Sequence, residues 1–167
     1  GEGFTVTGSL EIDAGPANNN GDETVLAGGV ISDASFQFTL TPSGEDVQFG
    51  NLVVKLADAG GTPLDNDDID SATLYLDDDQ DGVVNGDTNT GAVFSKLGSD
   101  QMQFDMTGAP FPLSNGAPAH FILEVDLAGT SPVGSELVLL IDSASQFSLL
   151  GDDSGESITP TFAGTLA

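Results

Sequence analysis

The sequence predicts an all-β fold, an antiparallel β-sandwich or jelly-roll of about nine or ten strands, on three observations. Apolar residues recur with a period of two nearly throughout the chain. Turn-forming residues interrupt that pattern about every dozen positions. The composition, with 22 glycines and twenty Asp against seven Glu, disfavours helices. A length of 167 residues fits a single domain, 1–167, large enough to bury a core without staples; cysteine is absent.

The elements follow in order. Phe4, Val6, Leu10 and Ile12 share one parity, with Thr5, Thr7, Ser9 and Glu11 on the other. A polar loop from Ala14 to Glu23 detaches this first strand, so residues 1–13 could be donated to a neighbouring subunit or stay in their own sandwich. Thr24 to Val30 reads as a short strand with a Gly28-Gly29 irregularity. Phe36, Phe38 and Leu40 alternate with Gln37 and Thr39 before a turn at Pro42-Ser43-Gly44. Val47 and Phe49 continue the pattern, and at Gly50-Asn51 the apolar parity shifts to Leu52, Val54 and Leu56, the mark of a bulge.

Further strands are expected at Ile69 to Leu76, Ala92 to Ser95, Met102 to Met106 and Phe121 to Leu127. Glu136 to Ile141 is apolar on both parities and predicts a central strand. Gln146 to Leu150 and Ile158 to Phe162 close the chain. The Pro/Gly-rich run Gly108 to Ala119 reads as a loop packed by Phe111 and Leu113. Phenylalanines 36, 38, 49, 104 and 121 sit at strand spacing and are assigned to the core. There is no internal repeat.

The 27 acidic residues face two lysines and no arginine, a formal net charge of −25. Such a surface repels nucleic acid and anionic membranes, attracts cations, and repels copies of itself unless ions, salt or apolar contacts intervene. No stretch is apolar for long enough to cross a bilayer as a helix. The N-terminus lacks a basic region followed by an apolar one, so a mature chain, or one without a signal peptide, is expected.

The most specific motif follows Leu74-Tyr75-Leu76: Asp77-Asp78-Asp79-Gln80-Asp81-Gly82-Val83-Val84-Asn85-Gly86-Asp87. Carboxylates at loop positions 1, 3 and 5, glycine at 6 and a carboxylate at 11 wrap a chain around a hard cation. The expected ligands to calcium are the side chains of Asp77, Asp79, Asp81 and Asp87 and the carbonyl of Val83. The pattern departs from an EF-hand at position 12, where Thr88 replaces the bidentate Glu, and in leaving a strand instead of a helix. A solvated acidic turn is the plainer alternative. Magnesium, with its tight octahedral shell, should substitute poorly.

Val25-Leu26-Ala27-Gly28, then Phe38 to Val47 with its Thr41-Pro42-Ser43-Gly44-Glu45-Asp46, then Leu52-Val53-Val54, resemble a module of secreted prokaryotic surface proteins. The resemblance continues through Asp68 to Leu76 with its aspartate loop and Leu123-Glu124-Val125-Asp126-Leu127, spanning roughly 24–142. It implies a calcium-binding β-sandwich used in extracellular surface architecture. Size, class and the detached first strand give a more distant similarity to subunits of extracellular fibres (biofilm fibres, bundling pili and cannulae). That similarity implies self-assembly into a homopolymer, by strand exchange between subunits.

Catalysis has little to work with. His120 is the single histidine and alternates with Phe121, no Ser lies in a Gly-x-Ser-x-Gly elbow, and zinc or copper sites lack His and Cys ligands. No tryptophan and one tyrosine leave little for a sugar platform. Asp65-Asn66-Asp67-Asp68 with Asp70, and Asp152-Asp153 with Glu156, read better as solvated turns than as further ion sites. Lys55 could crosslink to an Asn or Asp, or guard a sheet edge, the simpler role. The expectation is therefore a non-enzymatic, extracellular structural subunit that binds calcium and assembles into a filament or surface layer, without nucleic-acid or membrane partners. The alternatives are a calcium-stabilised module of a larger secreted protein, binding carbohydrate or protein, and a chain whose acidity is an adaptation to salt.

Overall fold

The computed structural model describes residues 8–15, 30–31, 36–57, 65–129 and 138–163. These contain thirteen strands: β1 (Ser9–Ala14), β2 (Val30–Ile31), β3 (Gln37–Ser43), β4 (Val47–Ala57), β5 (Ile69–Leu76), β6 (Thr88–Asn89), β7 (Val93–Leu97), β8 (Gln101–Asp105), β9 (Phe111–Leu113), β10 (Ala119–Leu127), β11 (Val138–Leu140), β12 (Phe147–Gly151) and β13 (Thr161–Phe162). The excess over the expected nine or ten comes from pieces of two or three residues. No described helix is long and apolar enough to cross a membrane.

The strands form two sheets packed as a sandwich. The first has the order β13-β1-β3-β10-β5-β6, with β2 also on β10; the second has β11-β4-β8-β7, with β9 and β12 also on β4. Every pairing is antiparallel except that of β1 with β13. Alternation sends Leu10, Ile12, Phe38, Leu40, Leu74, Phe121 and Leu123 inward from one sheet. Val47, Phe49, Leu52, Val54, Met102 and Phe104 meet them from the other, all at most 1% exposed. The five phenylalanines expected in the core are all there.

The parity shift at Gly50 has a structural counterpart. Ser148 pairs with Asn51 and Leu149 with Phe49, leaving Gly50 as the extra residue of a bulge, so Phe49 and Leu52 both face inward.

Four expectations are corrected. Phe111–Leu113 is strand β9 on β4 instead of a loop; Pro112 is tolerated because no described strand flanks β9 on its other side. β11, read as central, pairs with β4 alone among the described residues and stands at the end of that sheet order, with Val138 and Leu140 half-buried. Lys55 does not guard an edge: β4 is flanked by β8 and β11, and its ammonium lies 2.8 and 3.1 Å from the two carboxylate oxygens of Asp142. The turn expected at Pro42 starts later, β3 running through Ser43 before Gly44 takes a φ of 94°.

Phe4 and Val6 lie outside the described residues, as does most of the Thr24 to Val30 strand. The rest of the first strand is in its own sheet, with Ser9–Ala14 paired to β3 over six residues and Leu10 and Ile12 buried.

One buried carboxylate fastens this end of the sandwich. Glu45, 2% exposed, accepts hydrogen bonds from the Asp153 and Ser154 amides at 2.9 and 2.8 Å and from the Ser154 hydroxyl at 2.7 Å. A Cβ on Gly8 or Gly151 would collide with its side chain. The Ser154 amide and hydroxyl, then the Asp153 and Gly8 amides, hold its carboxyl below the usual carboxylate range against the upward push of burial. A depressed folded-state pKa contributes stability above the unfolded-state value, lost as pH falls through the folded one. Glu45→Gln should therefore lose stability at neutral pH, and the gap to wild type should close in acid. Urea denaturation of both proteins across that range checks this; a gap independent of pH would assign the effect to packing.

Candidate metal centre

Strand β5 delivers the acidic loop. The Asp77 amide donates to the His120 carbonyl at 2.9 Å, extending the β5–β10 ladder by one bond beyond the Leu76–Phe121 pair. Asp77 is 2% exposed, and its Oδ2 accepts from the Gly82 amide at 3.1 Å and from the Gln37 side-chain amide. Gln37 lies on β3 in the same cross-strand row as Ile122 and Tyr75.

The loop turns through residues its own carboxylates hold. Asp79 Oδ1 accepts from the Asp81 amide at 3.3 Å, and Asp81 Oδ1 from the Val83 amide at 2.8 Å. Gln80 and Gly82 both have positive φ, 61° and 74°. The return path is clamped: Asp87 Oδ1 accepts from the Asp78 amide at 3.0 Å, and Asp78 Oδ2 accepts from the Thr88 amide and hydroxyl at 3.1 and 2.6 Å. Thr88 and Asn89 then pair back onto β5 as β6.

Asp77, Asp79 and Asp87 consequently offer carboxylate oxygens that all lie within 4.8 Å of one another, the single such acidic group among the described residues. Two buried oxygens, Asp77 Oδ1 and Asp87 Oδ2, have no hydrogen-bond partner. Carboxylates gathered this closely repel one another. Orphaned buried acceptors add a desolvation cost. An oxygen-only set of this kind suits a hard divalent cation.

Of the residues singled out in sequence, Asp77, Asp79 and Asp87 come together. Asp81 does not join them: its two oxygens are occupied by the Val83 amide and, at 2.9 Å, the Asn85 side chain. The Val83 amide donates to Asp81 Oδ1. Sequence reasoning missed Gln37, forty residues away and without any motif, and Asp78, which closes the loop on Thr88. The other acidic clusters have structural duties: Asp65 caps a 3-10 turn at Asn66–Asp68, and Asp152 accepts from Gln48 at 2.9 Å. Nδ1 of His120 lies 2.8 Å from the hydroxyl of Thr39, a buried residue.

The strain at Gln80 is testable. A non-glycine residue in the left-handed region costs about 1–2 kcal/mol, which glycine avoids at some entropic cost in the unfolded chain. Gln80→Gly should leave stability unchanged or raise it by up to about 1 kcal/mol, and Gln80→Val should lower it by about 1–2 kcal/mol, both read by urea denaturation.

Fold and loop together define an all-β sandwich carrying an aspartate-rich, oxygen-lined centre at the end of a strand. No protein-family model matches the chain, and no curated protein does. Among solved structures it is similar to a chain of the CaDoc0917–CaCohA2 complex, with a TM-score of 0.40, 10% identity, and coverage of 95% of this chain and 100% of that one. The solution structure of CaCohA2 from Clostridium acetobutylicum gives 0.38, 11%, 94% and 87%. AvmM, which catalyses macrocyclization in alchivemycin A biosynthesis, gives 0.38, 12%, 97% and 84%. At these scores the similarities assign neither partner nor activity to this chain.

Proposed function

We propose that this chain is a non-catalytic, calcium-stabilised β-sandwich that serves outside the cell as a binding or adhesion module. The observation that carries the calcium is the pair of buried, unpartnered oxygens, Asp77 Oδ1 and Asp87 Oδ2, beside Asp79. Asp77, Asp79 and Asp87 hold the ion, and water or backbone oxygens complete its shell. Asp81 shapes the turn through its bonds to Val83 and Asn85. An ion at this place ties the loop to β5 and, through Gln37, to β3. Millimolar calcium outside cells suits a loop with few ligands.

The second reading is a subunit of a filament or surface layer, built by exchange of residues 1–13. Its support is the β1–β3 ladder, six regular pairs with, among the described residues, only the two-residue β13 beyond, which a neighbour's segment can form as well as the chain's own. Titration calorimetry with calcium tests the shared part of both readings. Saturable binding, lost in Asp77→Asn and much weaker with magnesium, is the expected result. No heat above dilution would remove the ion from the account.

A further inference from the structure

Strand β7 is an edge. It pairs with β8, and no described strand lies on its other side. Its five residues are Val93, Phe94, Ser95, Lys96 and Leu97. Val93 is 67% exposed and Leu97 41%, two of the four exposed large hydrophobics among the described residues. Natural edge strands are commonly blunted by charged side chains, lysine above all, by proline or by bulges; Lys96 is the one such device on β7, and its ammonium is drawn to Asp67, 3.8 Å away.

Charge singles out the same place. Strands of the first sheet carry Glu11, Asp13, Asp70, Glu124 and Asp126 and no cation. Those of the second carry one carboxylate, Asp105, and both lysines of the chain. Residues 88–99 contain no acid at all. For a molecule of net charge −25, an edge strand without acids of its own lowers the repulsion that a second copy meets.

We propose that β7 pairs antiparallel with β7 of a second copy across a two-fold axis at Ser95, merging the two second sheets into one. The strand is self-complementary in this register. Position 93 faces position 97, so Val93 packs on Leu97 of the partner subunit, twice over. Position 94 faces position 96, so the half-buried Phe94 ring lies beside Lys96 of the partner subunit, a cation whose ammonium in each copy is 3.8 Å from Asp67 of the same chain. No like charges stand opposite each other along the strand. Free main-chain donors and acceptors of both edges are satisfied together.

Sedimentation equilibrium of the full chain tests this. Wild type should form dimers whose affinity rises with salt, because salt screens the repulsion between two acidic bodies. Val93→Lys, an exposed substitution that leaves the far-UV circular dichroism unchanged, should weaken the dimer about tenfold or more. Adding Leu97→Glu to that variant should restore association, since the register sets the two substitutions against each other across the axis. A wild type that stays monomeric would overturn the proposal and leave the edge to a strand of another protein. So would a dimer indifferent to Val93→Lys, or a double variant no better than the single one.

Discussion

Phe121→Ala should destabilise the fold by about 3–5 kcal/mol, the range for emptying a buried aromatic site. Phe121 lies on the first sheet and is fully buried. Its ring stacks on Phe38 of the same sheet at 5.4 Å and meets Phe49 and Phe111 of the other sheet edge-on at 5.5 and 5.6 Å. Truncation removes the joint of an aromatic cluster spanning both layers, where the rigid sheets cannot close over the gap. A domain with a total stability of about 5–15 kcal/mol loses a large share of it. Thermal denaturation should register a fall of roughly 10 °C. A loss below about 1 kcal/mol would mean that the two sheets are not packed through this cluster.

How legible this was in the sequence depended on whether the signal was local. Both boundaries of β5 are legible, because its alternation is clean and the aspartates end it abruptly. The Gly50 bulge was readable because a bulge must shift apolar parity, and the parity shifted. β9 was missed because prolines and glycines around Phe111 look like a loop, and only the facing strand β4 makes it a strand. β11 was misplaced because two-sided hydrophobicity reports burial, which a sandwich can supply to an edge strand as well.

The loop shows the same division. Spacing points to Asp77, Asp79 and Asp87, and the local turn geometry brings their carboxylates together. The same template claimed Asp81, whose oxygens serve neighbouring donors instead. Gln37, which helps bury Asp77, reaches it only through the β3–β10–β5 order of the sheet, and no spacing rule encodes that.

The largest solvent-dependent effect should come from the ion. Calcium at about a hundredfold excess over its dissociation constant adds about 2.7 kcal/mol to a protein that binds it only when folded, or roughly 5–10 °C in melting temperature. Asp77→Asn keeps the size of the side chain and an oxygen for the Gly82 amide while removing one of three crowded charges. Without calcium the substitution relieves repulsion; with calcium it removes a ligand. The sign of its effect should therefore depend on the ion, which an ordinary packing role for Asp77 would not produce. The decisive measurement is melting of wild type and Asp77→Asn, each in excess calcium and in chelator. In chelator the variant should melt at or above wild type; in calcium wild type should rise by roughly 5–10 °C and overtake it. Wild-type melting temperatures that are equal in calcium and chelator, or a variant that gains as much from calcium as the parent, would contradict an ion held by Asp77, Asp79 and Asp87.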